Sequence, residues 1–415
     1  MHASRTLLAA SLLGAVLCAQ APTDKDKIPK WRIDPYTKNK PEALEKAGYV
    51  SFGPFPFGGI ADKPVLTSDV DAAIDYIQIL WIETKHFRIG TNLPAWNVPP
   101  GELETRNKIR AELEELALKL PDINPKTRVL DPWLRAHLTA HRMEKLYTET
   151  QELWGVKDED FPTDSTKVYP RPGARYMGYG PYLGMKDKFL MVVFEKLGPF
   201  QAYMKKYLGR DSKHAQRWHF KELSSLLLAI ATENDDFPRK HDTALHCSLV
   251  FNISQNLLDS FRYYNYDLPV WIREAYAHWH ERRVSILYSD FDQNEGSIAD
   301  MKNVAKWDVY CRGMIANPSK FATFAEVFQW RDFGNITFND HVAIWSRMDW
   351  LMSQGPEKWR KFLFAIKGRV DEKWGPDQRD IVGACRTALQ EAYGVSVLDF
   401  DTKWMEWVKA TYPSQ

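Results

Sequence analysis

The chain has 415 residues, with 55 lysine and arginine residues against 54 aspartate and glutamate residues and a formal net charge of +1. This balance excludes nucleic-acid binding as the main function, because phosphate binding requires an excess of cationic side chains on one face. The hydrophobic content of 44% and the charged content of 26% are typical of a folded globular protein. The 16 tryptophan, 18 tyrosine and 21 phenylalanine residues are enough to fill a large core or to line a groove.

Residues 1–19 have the pattern of a secretory signal peptide. A start with one positive charge, at Arg5, precedes an apolar run from Leu7 to Leu17 and small residues around Ala19, after which we expect cleavage. The apolar run is too short to span a bilayer, and no other segment reaches the roughly 18 apolar residues of a transmembrane helix. We therefore expect a soluble protein that is secreted or exported to the periplasm.

The rest of the chain divides into three regions by composition. Residues 20–68 are rich in proline, glycine and lysine, which disfavours regular helix or central strand and predicts a segment that wraps over the domain. Residues 69–239 mix strand and helix patterns, and residues 240–415 are helical in pattern almost throughout. The sequence thus predicts an α+β fold, with a small mixed β-sheet and a mainly helical C-terminal half.

Individual elements follow from hydrophobic periodicity and capping residues. A strand begins near Trp81, and a long helix begins at Asp131 as the cap with Pro132 in its first turn. The patterns also predict a helix over 105–120, a strand over 188–194 with a short helix after it that ends at Gly209, and helices over 240–260, 269–287, 303–312, 322–330, 340–353, 356–367, 376–392 and 399–411. Periodicity does not decide whether residues 218–232 form a strand or a helix.

Cysteine usage leaves the redox state open. Apart from Cys18 the chain contains Cys247, Cys311 and Cys385, an odd number at wide spacing. One disulfide with a leftover thiol and three buried thiols are both compatible with this number. No paired-cysteine metal spacing is present.

Two predicted helices carry potential metal ligands. Residues four apart on a helix share a face, so Asp242 and His246 point the same way, as do Glu274 and His278. Zinc accepts histidine nitrogen and carboxylate oxygen, and four such groups from two adjacent helices can converge on one ion. His278 is a candidate for either the fourth ligand or a residue that orients a ligand.

At these residues the chain resembles the gluzincin metallopeptidases, specifically secreted peptidase MA-like proteins. The segment Leu268–Ala277 is similar to the family signature whose glutamate is the third zinc ligand, which here is Glu274. Further segments resemble family strands and helices in order and pattern: Lys85–Ile89, Phe189–Phe194, Ile344–Leu351 and Tyr393–Ser396 with Trp404. The resemblance implies a gluzincin-like fold with the substrate cleft beside the metal helices.

The chain departs from that family at the catalytic motif. The family has an HExxH helix before the glutamate, with two histidine ligands and a glutamate as general base, and this chain contains no HExxH. The best register aligns Asp242–His246 with the motif, which makes Asp242 and His246 ligands and places Thr243 at the general-base position. A second register over His246–Val250 places Cys247 there. Neither threonine nor cysteine takes a proton from a metal-bound water as a carboxylate does.

Three functions remain open from the sequence. The first is a diverged, catalytically inactive metallopeptidase-like protein that binds a peptide, protein or cell-wall ligand in the inherited cleft, with His246 and Glu274 as a buried hydrogen-bonded pair. The second is an active zinc-dependent hydrolase with Asp242, His246 and Glu274 as ligands. The third is a structural or scaffold protein whose aromatic residues mediate assembly.

Overall fold

The structure is a computed structural model that describes residues 28–60, 63–164, 176–233, 239–264, 268–291, 304–334, 336–373 and 377–414. The predicted signal peptide over residues 1–19 lies outside this range. The α+β prediction is confirmed, because helices and a mixed sheet are both present.

A five-stranded mixed sheet forms the centre of the N-terminal half. The described strands are β1 (Pro56–Ile60), β2 (Lys63–Leu66), β3 (Leu80–Glu83), β4 (Phe87–Thr91), β5 (Trp96–Asn97), β6 (Val129–Leu130), β7 (Phe189–Phe194), β8 (Gln216–Phe220) and β9 (Ser225–Ala231). The strand order is β3-β4-β7-β9-β8, with parallel pairing between β4, β7 and β9 and antiparallel pairing at both edges. The central strands β7 and β9 are apolar along their length because both of their faces are buried.

Helices cover this sheet and make up nearly all of the C-terminal half. The described α-helices are α1 (Pro41–Ala47), α2 (Thr67–Ala73), α3 (Leu103–Ala117), α4 (Pro132–Trp154), α5 (Leu197–Tyr203), α6 (Asp242–Ser260), α7 (Val270–Val284), α8 (Trp307–Met314), α9 (Phe324–Val327), α10 (Phe338–Ser353), α11 (Pro356–Ile366), α12 (Ile381–Tyr393) and α13 (Phe400–Thr411). Asp131 caps α4 as predicted, since its carboxylate accepts a hydrogen bond from the Leu134 backbone N–H at 3.0 Å.

The stretch that periodicity left undecided forms the β8–β9 hairpin. Trp218 pairs with Leu227 across its two strands, and Ser224 takes a positive φ of 51° in the connecting turn. Every residue of β9 is buried. An apolar run buried on both faces does not alternate, and for this reason its period could not distinguish strand from helix.

The N-terminal segment is more regular than its composition predicts. It contains the helix α1 and the two-stranded β1–β2 hairpin, which is separate from the central sheet. His137 of α4 holds this segment in place through hydrogen bonds to Asp34 at 3.1 Å and to the Tyr49 hydroxyl at 2.8 Å, and these three side chains are buried. The rings of Phe55 and Phe57 pack edge-on against Trp81.

The helical half has a continuous aromatic core. Trp271, for example, packs against Phe324 and Phe328 with ring centroids 5.1 and 6.1 Å apart. The three cysteines that the structure describes, Cys247, Cys311 and Cys385, are free and buried. Within the described ranges, no helix has the length and apolar character needed to cross a membrane.

Candidate metal centre and adjoining cavity

Helix α7 lies at the centre of the helical half, between α6 and α10. Twelve of its fifteen residues are buried, including charged and polar ones. A polar group removed from water needs a hydrogen-bond partner, so the buried polar side chains of α7 require partners on the neighbouring helices.

The face toward α10 gathers a glutamate and two histidines. One ligand atom from each of Glu274, His278 and His341 lies within 4.8 Å of the other two, and the exposure of each of these residues is 0%. His278 Nε2 is 2.9 Å from His341 Nδ1, and Glu274 accepts a hydrogen bond from Gln255 Nε2 at 3.2 Å. This group can hold a metal ion.

A second carboxylate lies behind His278. Its Nδ1 is 2.6 Å from Glu281 Oε1, while the other oxygen of Glu281 accepts the Asp290 backbone N–H at 2.9 Å. A metal-binding histidine commonly donates its second nitrogen to a carboxylate, which fixes its tautomer and its ring orientation. Burial lowers the pKa of His278 well below its usual value, so its imidazole is neutral, which is the form that binds metal.

The chemistry of this donor set fits a divalent metal. Two imidazole nitrogens and a carboxylate oxygen are a ligand combination that zinc accepts. Glu274 and His278 are one helical turn apart on α7, and His341 faces them from α10. All three are fixed by a buried environment, so their arrangement does not depend on mobile surface side chains.

Asp242, which was predicted as a metal ligand, is not part of the Glu274–His278–His341 group. It is buried at the start of α6 and makes a 2.7 Å ion pair with Arg142 of α4, which also binds both carboxylate oxygens of Glu112. Burial by itself would raise the pKa of Asp242, but the charge and hydrogen bond of Arg142 outweigh this effect and hold it below its usual value. The expected convergence of Asp242, His246 and Glu274 does not occur, because α4 supplies a buried cation in the place of a metal.

His246 also lies apart from the buried group. Its Nδ1 is 3.9 Å from Glu112 Oε1, and its ring lines a cavity of about 350 Å³ between α3, α4, α6 and α7. Thr243, which the resemblance aligns with the general-base position, lines the same cavity. Of the four predicted ligands, the structure therefore brings together Glu274 and His278 and places Asp242 and His246 elsewhere.

Two histidines were not singled out by the sequence. His341 is 63 residues from His278, and no spacing pattern connects them. His280 follows His278 by two positions, so helical geometry alone places it on another face; it lines the cavity beside His246. The exposure of His280 is 6%, its Nε2 has no hydrogen-bond partner among the described residues, and burial lowers its pKa to about 3.

No family model, curated protein or solved structure matches this chain. Its function is therefore inferred from the chemistry of the site.

Proposed function

We propose that this protein is an exported, non-catalytic binding protein of gluzincin-like ancestry, stabilised by a structural metal ion. The metal is zinc, bound by Glu274, His278 and His341. The ligand is a peptide segment, free or part of a protein or of the cell wall, and it binds in the cavity between α3, α4, α6 and α7.

The burial of the Glu274–His278–His341 group is the observation that carries this proposal. With each of the three residues 0% exposed, a substrate has no access to an ion held there. Three protein ligands leave one coordination position open, as at a catalytic metal, but burial closes that position to substrate here. The ion would connect α7 with α10, and its binding free energy would contribute to folding.

The cavity has no carboxylate at the position where the resemblance expects the general base. Thr243 stands where the resemblance expects a general base. Glu112 is the carboxylate closest to His246 among the ion pairs of the described residues, and its two oxygens are bound by Arg142 at 2.9 and 2.7 Å. Both oxygens of Glu112 are therefore held by a guanidinium and are not directed at a water molecule in the cavity. These contacts favour binding over catalysis.

The lining of the cavity suits a peptide. Apolar side chains such as Leu146 and Val250 line the cavity with His280, whose Nε2 has no partner among the described residues. Lys145 and Glu149 supply charges of both signs. A peptide combines apolar side chains with hydrogen-bonding backbone groups and two charged termini, and each of these has a counterpart in the lining.

The metal is tested by elemental analysis of protein purified without chelators. We expect about one equivalent of zinc per chain and its loss in His341→Ala, because one of three protein ligands is removed. His214→Ala is the matched control, since His214 lies on the loop before β8, and it should retain the metal. Less than about 0.1 equivalent in the wild-type protein, or full retention in His341→Ala, would contradict the site.

The peptide site is tested with a random-sequence peptide library, measuring retention and cleavage in the same experiment. The wild-type protein should retain peptides without cleaving them, and Thr243→Trp should abolish retention by filling the cavity while the metal content stays unchanged. Leu398→Trp, at an exposed residue away from the cavity, is the control for the added ring. Cleavage, or retention that Thr243→Trp leaves intact, would overturn the proposal.

A further inference from the structure

A second and larger cavity lies on another side of α7, where α8, α10 and the C-terminal residues meet it. Its volume is about 630 Å³, within the range of small-molecule sites. It shares Arg283 with the cavity described above, and its remaining lining is distinct. Aromatic and charged side chains make up much of this lining, among them Trp279, Arg282, Trp307, Trp345, Asp349 and Tyr412.

Arg282 is a buried cation in this lining. Its exposure is 6%, and its guanidinium lies 4.0 Å from the ring centroid of Trp307 and 5.5 Å from that of Trp345. Its Nη groups donate to Ser289 Oγ and to the Ala305 carbonyl oxygen, and its Nε has no acceptor among the described residues. Burial lowers the pKa of Arg282 to about 10, although the nearby carboxylates of Glu281 and Asp308 act in the opposite direction.

The described residues do not neutralise this charge by direct contact. None of their ion pairs includes Arg282, although other buried arginines such as Arg142 have carboxylate partners at 2.7 Å. The carboxylate of Asp349 accepts a hydrogen bond from the Tyr412 hydroxyl at 2.9 Å. Exposed Arg283 and Lys306 add positive charge to the same cavity, and the carboxylate of Asp308 in its lining accepts the Val309 backbone N–H at 2.8 Å. A buried guanidinium with an unused donor is strongly stabilised by an anion, and a carboxylate matches its planar geometry.

Aromatic rings lie on the walls around this cation. Trp279 and Trp345 are half-buried, so part of each ring borders the cavity. The Trp345 ring is stacked on Tyr412 with centroids 5.8 Å apart and an interplanar angle of 20°, which fixes its orientation. Flat, fixed rings of this kind favour a ligand that is itself ring-shaped and has an apolar face.

We propose that this cavity binds a small carboxylate that carries a ring. The carboxylate contacts Arg282, and the ring lies against Trp345 and Trp279. Acidic sugars and aromatic acids share this chemistry, since both present a carboxylate beside a ring with an apolar face. The site is independent of the buried Glu/His/His group and goes beyond the proposed peptide binding.

The experiment measures binding by calorimetry and by tryptophan fluorescence, using glucuronate and phenylacetate as the two probes. Glucose and phenylacetamide are their neutral counterparts. We expect at least one acid to bind about tenfold or more tightly than its neutral counterpart, because the charge-assisted hydrogen bonds to arginine are lost in the latter. Preference for glucuronate assigns the site to acidic sugars, and preference for phenylacetate assigns it to aromatic acids.

Variants locate the binding. Arg282→Gln should weaken the preferred acid about tenfold or more, and Trp345→Leu should weaken it several-fold by removing the ring contact. Arg386→Gln, which removes an exposed arginine of α12 outside the cavity, is the matched control and should bind as the wild type does. If Arg282→Gln does not fold, Trp345→Leu and the neutral counterparts still test whether the cavity binds the acid. Failure of both acids to bind at millimolar concentration, equal binding of the neutral counterparts, or an equal loss in Arg386→Gln would overturn the proposal.

Discussion

Two histidines on different faces of α7, His278 and His280, have different surroundings. On the face of α7 toward α10, both ring nitrogens of His278 have partners, Glu281 and His341, and the group is sealed from solvent. On the face toward α3 and α4, His280 is buried beside a cavity, and its Nε2 has no partner among the described residues. The contrast teaches that a buried histidine with partners at both nitrogens contributes to a stable core, whereas a buried nitrogen without a described partner beside a cavity indicates a place for a ligand.

The largest loss of stability should follow from breaking the ion pair between Arg142 and Asp242, which was predicted to bind metal. Arg142→Met leaves Asp242 buried without its cation, so we expect the free energy of unfolding to fall by about 3 to 5 kcal/mol. Urea unfolding followed by circular dichroism measures this loss. A fall of less than about 1 kcal/mol would mean that the pair is solvated in solution.

A double variant separates the lost charge from the lost packing. Arg142→Met with Asp242→Leu removes both buried charges, and we expect it to recover most of the stability, because apolar residues of similar volume often replace a buried ion pair without loss. Glu112 is partly exposed and can turn to water once Arg142 is absent.

The comparison between the two faces of α7 is tested by making one substitution at two positions. His278→Phe should lower the free energy of unfolding by about 2 to 4 kcal/mol, because it removes the buried hydrogen bonds of His278 to Glu281 Oε1 and to His341 Nδ1. His280→Phe should leave this free energy unchanged or raise it by about 1 kcal/mol, because it removes a buried nitrogen for which the described part of the chain supplies no partner. Both variants are measured by urea unfolding. Equal losses at the two positions would abolish the distinction.

The smallest effect concerns hydrolysis. Thr243→Glu places a carboxylate at the position that the resemblance aligns with the general base. We expect peptide cleavage to stay at the background level, because the Glu274–His278–His341 group lies on the other side of α7 from the cavity. Cleavage is measured with fluorogenic peptides, with Thr243→Gln as the uncharged control. Activity in Thr243→Glu alone would show that a metal does bind beside His246.

Much of the fold could be predicted from the sequence because the signals are local. The cap at Asp131, the long helix after it and the helices after residue 240 follow from periodicity and capping, and the structure places α6 and α7 within two or three residues of the predicted bounds. The N-terminal hairpin and the β8–β9 hairpin were not predicted. Proline and glycine concealed the first, and burial of both faces of β9 concealed the second.

The candidate site was predicted in part, for a geometric reason. Helical spacing correctly placed Glu274 beside His278, since that relation lies within one helix. The same rule paired Asp242 with His246, but it contains no information on which helix either face meets. Arg142 of α4 and His341 of α10 are far away along the chain. Arg142 pairs with Asp242, and His341 joins His278, and neither contact follows from helical spacing.

The sequence by itself determined the order and type of most elements, the absence of the HExxH motif and the pairing of ligands within α7. Only the tertiary structure decided that Asp242 meets a cation, that Glu274 and His278 meet a third ligand in a sealed core, and that Arg282 lies buried among tryptophans at a cavity. The physical reason is that a residue's chemistry depends on its neighbours in space, and periodicity specifies faces without specifying what packs against them.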